Sequence, residues 1–464
     1  MAAEAGQVGQ PDGKAPGRGR WAPLFGLEER PPPGTALLAA AQHLLAVSGG
    51  IVAAPLIIAG GMGLAGSAVN AVVTSALFVS GIATLIQVSR VGPLGSGVLA
   101  IQGTSFTFIG AILFAYHALP AELSPQARLA AIFGTAAVAS ICMMPLAFGL
   151  RRLKRLFSPA VTGATVVLLG ISLVATTLGN LHAAWVAADA EGTAWPVALV
   201  AGCVFLITAT MARFPNPWVR MCSILAGFTV GFVIELLLGS IDFDRLHSLD
   251  SFALPAPFRY GLGFDWQAFA VLMPIFVVSA TETVGDLTAT QALSRLPTRG
   301  PGYWARVRGG VVGDAFNSLL ASAFATFPNT TFSQNNGVIR LTGIASRHVG
   351  RLTACMLILL GCLPWVSGLF QLLPPTVIHG ATLLMFGLVA AAGVNILRNG
   401  CAGRRDWLIA ACALLGGGVL SQTADSLSFL PQQVLMILQF PVSTGAFIAM
   451  ALELLLPRPQ GAGR

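Results

Sequence analysis

The chain is short of charge. Of its 464 residues only 9% are Asp, Glu, Lys or Arg, while 55% are hydrophobic. A soluble protein of this length carries about a quarter charged residues. A soluble globular protein is thereby excluded, and a polytopic membrane protein remains. Cysteine is equally uninformative as chemistry. The seven residues lie within apolar runs (Cys142, Cys203, Cys222, Cys355, Cys362, Cys412) or beside a basic loop (Cys401), with no metal-like Cys-x-x-Cys spacing. They read as small apolar side chains, not as a disulfide framework or a metal site. The segment from Met1 to about Gly34 has no apolar h-region and is rich in Gly, Pro and charge. A cleavable signal peptide is excluded there, and a disordered cytoplasmic tail is expected. A nucleophile–base pair, a set of metal ligands and a repeated pore-lining ring are also missing, which argues against an intramembrane enzyme and a channel.

What is present is apolar length. Fourteen runs of roughly 17–25 residues can each cross a bilayer, at about 35–58, 68–88, 97–115, 127–149, 158–178, 194–212, 219–239, 268–289, 308–327, 329–346, 352–370, 373–396, 406–423 and 433–456. The net charge of +8 raises nucleic acid as a partner only until the basic residues are placed. With the N-terminus inside, Arg90, the run Arg151-Arg152-Leu153-Lys154-Arg155, Arg213, Arg220 and most later arginines fall on the cytoplasmic side. Arg128, Arg245 and Arg259 fall outside with Asp189, Glu191, Asp242, Asp244, Asp250 and Asp265. The basic loops set topology; no nucleic-acid partner is expected.

An internal repeat accompanies this frame. Gly163-Ala164-Thr165, four apolar residues and Gly170 in span five are matched by Gly380-Ala381-Thr382 and Gly387 in span twelve. Seven spans separate them, an odd number, so the two halves have opposite orientation. Inverted repeats typify secondary transporters, whose sites lie where corresponding broken helices meet. Span ten is such a break: Pro328 to Ser333 favours extended backbone, and from Gln334 the chain can turn helical with Asn335 or Asn336 as N-cap. Its free N–H groups and positive dipole end would face a cavity. Span three, the counterpart, is interrupted at Gln102-Gly103-Thr104-Ser105 before Phe106.

Five acids fall within apolar runs: Glu235, Glu282, Asp286, Asp314 and Glu453. Each costs roughly 2.5–3.5 kcal/mol on insertion scales, so it is there for a reason. Glu453 is near a span end and can reach the interface; Glu235 has no polar neighbours and reads as structural. Glu282 and Asp286 are four apart and share a helix face, in a polar, small context from Ser279 to Thr290 that looks like a cavity lining. Asp314 lies in a glycine-rich span, and Gln42 with His43 lies in span one. Amides, a carboxylate and an aromatic face suit a neutral, planar, hydrogen-bonding solute. A phosphate would call for Arg or Lys, and only Arg340 approaches that depth.

The stretch Gln334-Asn335-Asn336-Gly337-Val338-Ile339-Arg340-Leu341-Thr342-Gly343 resembles the signature of the nucleobase-ascorbate transporter family: Gln-Asn-any-Gly, four free positions, Thr, then Arg, Lys or Gly. Gln42-His43, the Glu-x-x-Gly-Asp context of Glu282 and Asp286, and Asp314 extend the resemblance over about 35–456. It implies an all-α polytopic membrane protein of fourteen transmembrane segments in 7+7 inverted repeats, with broken spans three and ten. A core domain (spans 1–4 and 8–11, about 35–149 and 268–370) and a gate domain (spans 5–7 and 12–14, about 158–239 and 373–456) are implied, with short tails at 1–34 and 457–464. So are a homodimer through the gate domains, elevator-like movement of the core, the cytoplasmic (inner) membrane with both termini inside, and transport of a nucleobase with the proton as coupling ion and no cofactor or metal.

Carried over to this sequence, Glu282 accepts N–H groups of the base and Gln334 pairs with its opposite edge. Phe106 stacks on the ring, and the backbone around Ser105 and Gly337 completes the clamp. Asn335 and Asp314 hold the signature loop, His43 orients Glu282 or a nearby hydroxyl, and Gln42 and Asp286 support the site. Gln102 to Phe106 and the leading Gln-Asn look like the xanthine and uric acid branch; a uracil permease of the same family, or a sulfate-transporter-type anion exchanger, is the alternative. His379 departs from the family, where a small residue is usual.

Overall fold

In a computed structural model of the chain, residues 24–149, 158–190, 194–216, 222–241, 251–401, 403–427 and 438–457 are described, with a few isolated positions between them. The basic run Arg151 to Arg155, Arg220, Arg245, Glu191, Asp242, Asp244, Asp250 and both extreme termini lie outside the described residues.

The structure is mostly helical. Helices α1 (Pro33–Gly61) and α2 (Ser67–Ser89) are followed by strand β1 (Gln102–Thr104), a 3-10 turn (Phe106–Phe108), α3 (Ile109–Ala118) and α4 (Pro125–Phe148). Then come α5 (Pro159–Ala190), α6 (Trp195–Ala212), α7 (Ser223–Leu237), α8 (Trp266–Leu293) and α9 (Pro301–Ala323). Strand β2 (Asn329–Thr331) leads into α10 (Gln334–Thr342), and α11 (Arg347–Gly361), α12 (Pro364–Gln371), α13 (Pro375–Gly400), α14 (Arg404–Thr423) and α15 (Pro441–Leu455) complete the chain. Among the described residues seven helices (α1, α2, α4, α5, α6, α8 and α13) are long and apolar enough to cross a membrane. Helix starts follow local chemistry. Ser124 Oγ accepts Ala127 N–H ahead of Pro125, and Asp265 Oδ1 accepts Ala268 N–H at the start of α8.

The eleventh apolar run departs from the single straight span expected. It is a pair of helices, α11 and α12, bent by 79°. The cause lies at Leu363-Pro364: proline has no N–H and disfavours helical backbone in the residue before it, and Leu363 sits at φ −115°, ψ 87°. The N-terminal segment departs as well. Residues 24–32 do not form a free tail but pack against the turn between α10 and α11, and α1 begins at Pro33.

Helices α1, α2, α4, α8, α9 and α11 pack on one another, and α5, α6, α7, α13, α14 and α15 form a second packed group. Helices α5 and α13 make the most extensive contact of the fold. A Cβ at Gly163 would meet Leu397, and one at Gly170 would meet Ala390. Partner numbers fall as chain numbers rise, so the two helices run antiparallel.

The first group is organised around two short strands. β1 pairs with β2 antiparallel, Gln102 opposite Thr331 and Thr104 opposite Asn329. A two-stranded ribbon inside a membrane leaves edge groups with no water to bond. They are met by side chains and neighbouring carbonyls: Gln102 N–H donates to Thr84 Oγ1 at 2.9 Å, Phe332 N–H to Ile101 O at 2.9 Å, and Ser105 N–H to Pro328 O at 2.9 Å. Helix α9 admits the extended chain before β1 through its glycines. A Cβ at Gly309 would lie 2.4 Å from Gly95 O, and one at Gly313 would lie 3.0 Å from Gly95 N.

Candidate functional site

The junctions that follow the two strands converge on one face of α8. Ser105, Phe106 and Thr107 come from the first junction, Phe332 to Gln334 from the second with Thr330 and Thr331 of β2 before them, and Glu282 and Asp286 from α8. With α5 and α13 opposite, they line a cavity of about 580 Å³ that runs on to Tyr303, Asn399, Gly400 and Pro159. Among the described lining residues there is no Lys, Arg or His. Arg340, the one cation that the sequence placed near this depth, is exposed in the last turn of α10 and does not line the cavity.

Glu282 is half-buried, and Thr107 Oγ1 donates to its Oε2 at 2.7 Å. That bond fixes the carboxylate and leaves Oε1 for a further donor. Asp286, one turn along the same face, shares the cavity; its backbone carbonyl accepts Asn336 Nδ2 at 3.3 Å and Thr290 Oγ1 at 2.9 Å. Gln334 opens α10, and its Nε2 meets Met385 Sδ at 4.0 Å. A thioether is a weak acceptor, so the carboxamide retains most of its hydrogen-bonding capacity for a ligand. Ser105 is fully buried and its Oγ has no partner among the described residues.

Phe106 is more enclosed than a free stacking platform. Its ring lies 6.1 Å from that of Phe332 at an interplanar angle of 23°, and Phe386 of α13 meets it edge-on at 5.4 Å. Helix α10 also starts differently from expectation. Neither Asn335 nor Asn336 caps it: the preceding position is Ser333, and no side chain caps the helix. The two amides reach neighbouring elements instead. Asn335 Nδ2 donates to Leu99 O at 2.5 Å, and Asn336 Oδ1 accepts Thr290 Oγ1 at 2.6 Å. The N–H groups of Asn335 and Asn336 donate to Phe332 O and Ser333 O. Of the N–H groups at the start of α10, those of Asn335 and Asn336 are thus used within the turn, and the cavity is lined there by Gln334.

Asp314 lies behind the strands, outside the main cavity. It accepts Thr283 Oγ1 at 2.5 Å, Gln87 Nε2 at 3.2 Å, Thr331 N–H at 3.3 Å and Thr331 Oγ1 at 3.4 Å. One buried carboxylate thus ties α2, α8, α9 and β2 together. Gln42 and His43 are buried in α1 and do not line the cavity. Neither ring nitrogen of His43 has a hydrogen-bond partner among the described residues, so the expected bond to Glu282 or a hydroxyl is not formed; the imidazole lies beside Asn335. Gly337 is exposed, away from the lining, with nothing within 4 Å of where a Cβ would stand. His379 is half-buried on α13, outside the lining.

The remaining acids are structural. Glu235 Oε1 accepts Thr376 Oγ1 at 2.9 Å in the first turn of α13, where the helix dipole favours a negative charge. Glu453 is not free to extend into solvent. It is 3% exposed and forms a two-pronged pair with Arg405, whose Nη1 lies 3.1 Å from each carboxylate oxygen. Its short carboxylate cannot leave the packed end of α15, so the long arginine comes to it. Thr107, Gln87, Phe332 and Phe386 were missed from sequence. Thr107 alone had a signal, as a hydroxyl just past the polar interruption in span three.

Comparison with known proteins gives this arrangement a family. The sequence model described as the permease family matches residues 34–425. The chain is 37% identical over 437 residues to the xanthine permease XanP of Escherichia coli, covering 94% of each. It is 35% identical over 439 residues to the xanthine permease XanQ of the same organism, again covering 94% of each. A putative purine permease of Clostridium perfringens is 33% identical over 416 residues, 89% of each chain. Among solved structures, the transmembrane domain of the cyanobacterial bicarbonate transporter BicA has a similar fold, with TM-score 0.56 and 16% identity over 90% of this chain and 97% of that one. Murine Solute Carrier 26 family member A9, an anion transporter in its inward-facing state, gives 0.58 at 12% identity over 92% and 69%. The chain belongs to the permease family of the nucleobase-ascorbate transporters, and it is an integral membrane transporter, not an enzyme.

Proposed function

We propose that the chain carries an oxidised purine nucleobase, xanthine or uric acid, across the cytoplasmic membrane by proton symport. The observation that carries this reading is the pairing of Glu282 Oε1 and the Gln334 carboxamide, both with free hydrogen-bonding capacity, across a cavity with no lining cation among the described residues. Glu282 accepts N–H groups of the base. Gln334 donates to and accepts from the opposite edge, and Ser105 Oγ lies against it. Phe106 bounds the flat face. Glu282 and Asp286 are the membrane carboxylates that face the cavity, and they take up and release the coupling proton. The names of the relatives, xanthine and purine permeases, support the same substrate class.

The fourteen-span, 7+7 inverted architecture is part of this proposal. The antiparallel run of α5 against α13, the helices that carry the repeated Gly-Ala-Thr, supports it. So does the meeting of the two broken spans in one antiparallel ribbon. Helices α1–α4 and α8–α12 form the core and α5–α7 and α13–α15 the gate. The core slides on the gate with the substrate between them, and two gates meet in a homodimer. The cavity reaches Tyr303 and Gly400, at helix ends that an orientation with cytoplasmic termini puts on the inner side, and in that orientation this conformation faces inward.

The test is uptake of labelled xanthine into proteoliposomes with unlabelled competitors. Xanthine or uric acid should compete in the micromolar range. Adenine should not, because its exocyclic amine reverses the hydrogen-bonding pattern and leaves buried groups unpaired. Stronger competition by uracil than by both oxidised purines would transfer the chain to the pyrimidine branch, and uptake of labelled sulfate would replace the reading by anion exchange.

A further inference from the structure

The segment ahead of α1 is built onto the back of the substrate half-helix. α10 ends at Gly343, whose φ of 70° terminates it. The Gly343 carbonyl accepts Leu24 N–H at 2.6 Å and Phe25 N–H at 3.1 Å. The ladder continues in parallel: Ala345 N–H donates to Phe25 O at 2.9 Å and Arg347 N–H to Leu27 O at 3.0 Å. Ser346 Oγ donates to Glu29 O at 2.5 Å, and Glu28 pairs with Arg347 at 2.5 Å. A turn closed by Gly26 N–H on Glu29 Oε2 at 2.8 Å shapes the segment. Leu27 is buried against Val98, Ala100 and Leu287. It therefore touches the chain leading to β1 and the residue next to Asp286.

We propose that Leu24 to Glu29 form a positioning strap that fixes the tilt of α10 and so the aim of Gln334 into the cavity. The inference rests on Gln334 reading the substrate, as proposed above. α10 has nine residues, about 13 Å at 1.5 Å per residue. Asn335 on Leu99 O and Asn336 on Thr290 hold its first turn; the strap holds its last. With the second hold gone the helix can tilt about the first, and Gln334, whose long side chain reaches out from that end, swings its carboxamide off line. A displacement near 1 Å at a binding group is enough to spoil its geometry. The strap's backbone bonds are to the α10–α11 turn, so it travels with the half-helix during transport.

The test uses the full chain in proteoliposomes. Leu27→Asp places a carboxylate in the apolar seat of the strap, and Leu27→Met keeps the seat filled. Glu28→Arg, at a side chain 62% exposed, sets like charges together without touching the core, and Glu28→Arg with Arg347→Glu restores the pair. Leu27→Asp and Glu28→Arg should raise KM for xanthine by roughly two- to thirtyfold, the range for residues that act on a site without touching its ligand. Vmax and the amount of protein should change little, and Leu27→Met and the double variant should return KM to that of the parent. Hydrogen exchange at the α10 amides should quicken in the same two variants, a readout that needs no substrate. Unchanged KM with unchanged exchange in Glu28→Arg would overturn the strap, including the case in which Leu27→Asp fails to accumulate. Faster exchange in a chain that carries no xanthine in any form would uphold the strap and overturn the substrate.

Discussion

Two neighbouring carboxamides should respond in opposite ways to the same substitution. Gln334 and Asn335 are adjacent in sequence and alike in chemistry, yet the structure spends them differently. Gln334 is half-buried, and its amide meets a thioether sulfur at 4.0 Å. Asn335 is fully buried, and its amide donates to Leu99 O at 2.5 Å. Truncating Gln334 removes almost nothing that holds the fold together, so Gln334→Ala should shift stability by less than about 0.5 kcal/mol. Its cost falls on the ligand. A pair of hydrogen bonds to a neutral base is worth about 1–3 kcal/mol, a rise in KM of roughly five- to 150-fold. Asn335→Ala instead leaves the Leu99 carbonyl unpaired where water cannot reach it, a loss of about 1–3 kcal/mol of stability. The assay is initial-rate uptake of labelled xanthine at matched protein, with thermal unfolding of the same preparations in detergent. A Gln334→Ala protein that melts early and keeps its KM would refute the assignment of that amide to the substrate.

Glu282→Gln should impair uptake more than Gln334→Ala does, because it removes both the acceptor for the base and a group that carries the proton; normal transport by this variant would defeat both assignments. Coupling is checked with a protonophore, which should collapse uptake, and with replacement of sodium by potassium, which should leave it unchanged; a strict sodium requirement at constant pH would contradict the scheme. Asp314→Asn turns a nitrogen donor toward the donors Thr283 Oγ1 and Thr331 N–H, and should cost about 2–3 kcal/mol of stability, read as a lowered melting temperature at unaltered expression. An unchanged melting temperature would mean that Asp314 does not hold β2.

The sequence was legible where the membrane makes polarity expensive. Glu282, Asp286, Asp314 and the amides of span ten stood out because little else polar interrupts the apolar runs, and the structure gathers Glu282, Asp286 and Gln334 around one cavity. The break in span three was visible for the same reason. What could not be read was which partner each polar group takes. Asn335 and Asn336 had the composition of an N-cap, but a cap is a local bond, and tertiary neighbours at Leu99 and Thr290 competed for both amides. Glu453 looked free to reach the interface because Arg405, its partner, is 48 positions away in sequence. The bend at Leu363-Pro364 could have been anticipated from the proline alone. The packed segment before α1 carries no such mark: most of its bonds are backbone bonds, which composition does not encode.

The structural relatives sharpen what the site residues must explain. Transporters of bicarbonate and of other anions share this fold at 12–16% identity, so the fold is neutral as to cargo. On the proposed reading, discrimination then falls to the few side chains at the joint of the two broken spans. An anion brought there would meet two carboxyl groups, Glu282 and Asp286, a turn apart, with no lining Lys or Arg among the described residues to pair with it. Two of the first N–H groups of α10, those of Asn335 and Asn336, are already taken by Phe332 O and Ser333 O, which weakens the usual means by which a half-helix holds a negative group. On the proposed reading a neutral heterocycle would meet the same groups as partners: N–H against Glu282, a donor–acceptor edge against Gln334, a flat face against Phe106. Asp314, bonded to Thr283 of α8 and Thr331 of β2, joins the helix that carries Glu282 to the strand that leads into Gln334, so on the proposed reading it acts on the cargo only through the placing of those two.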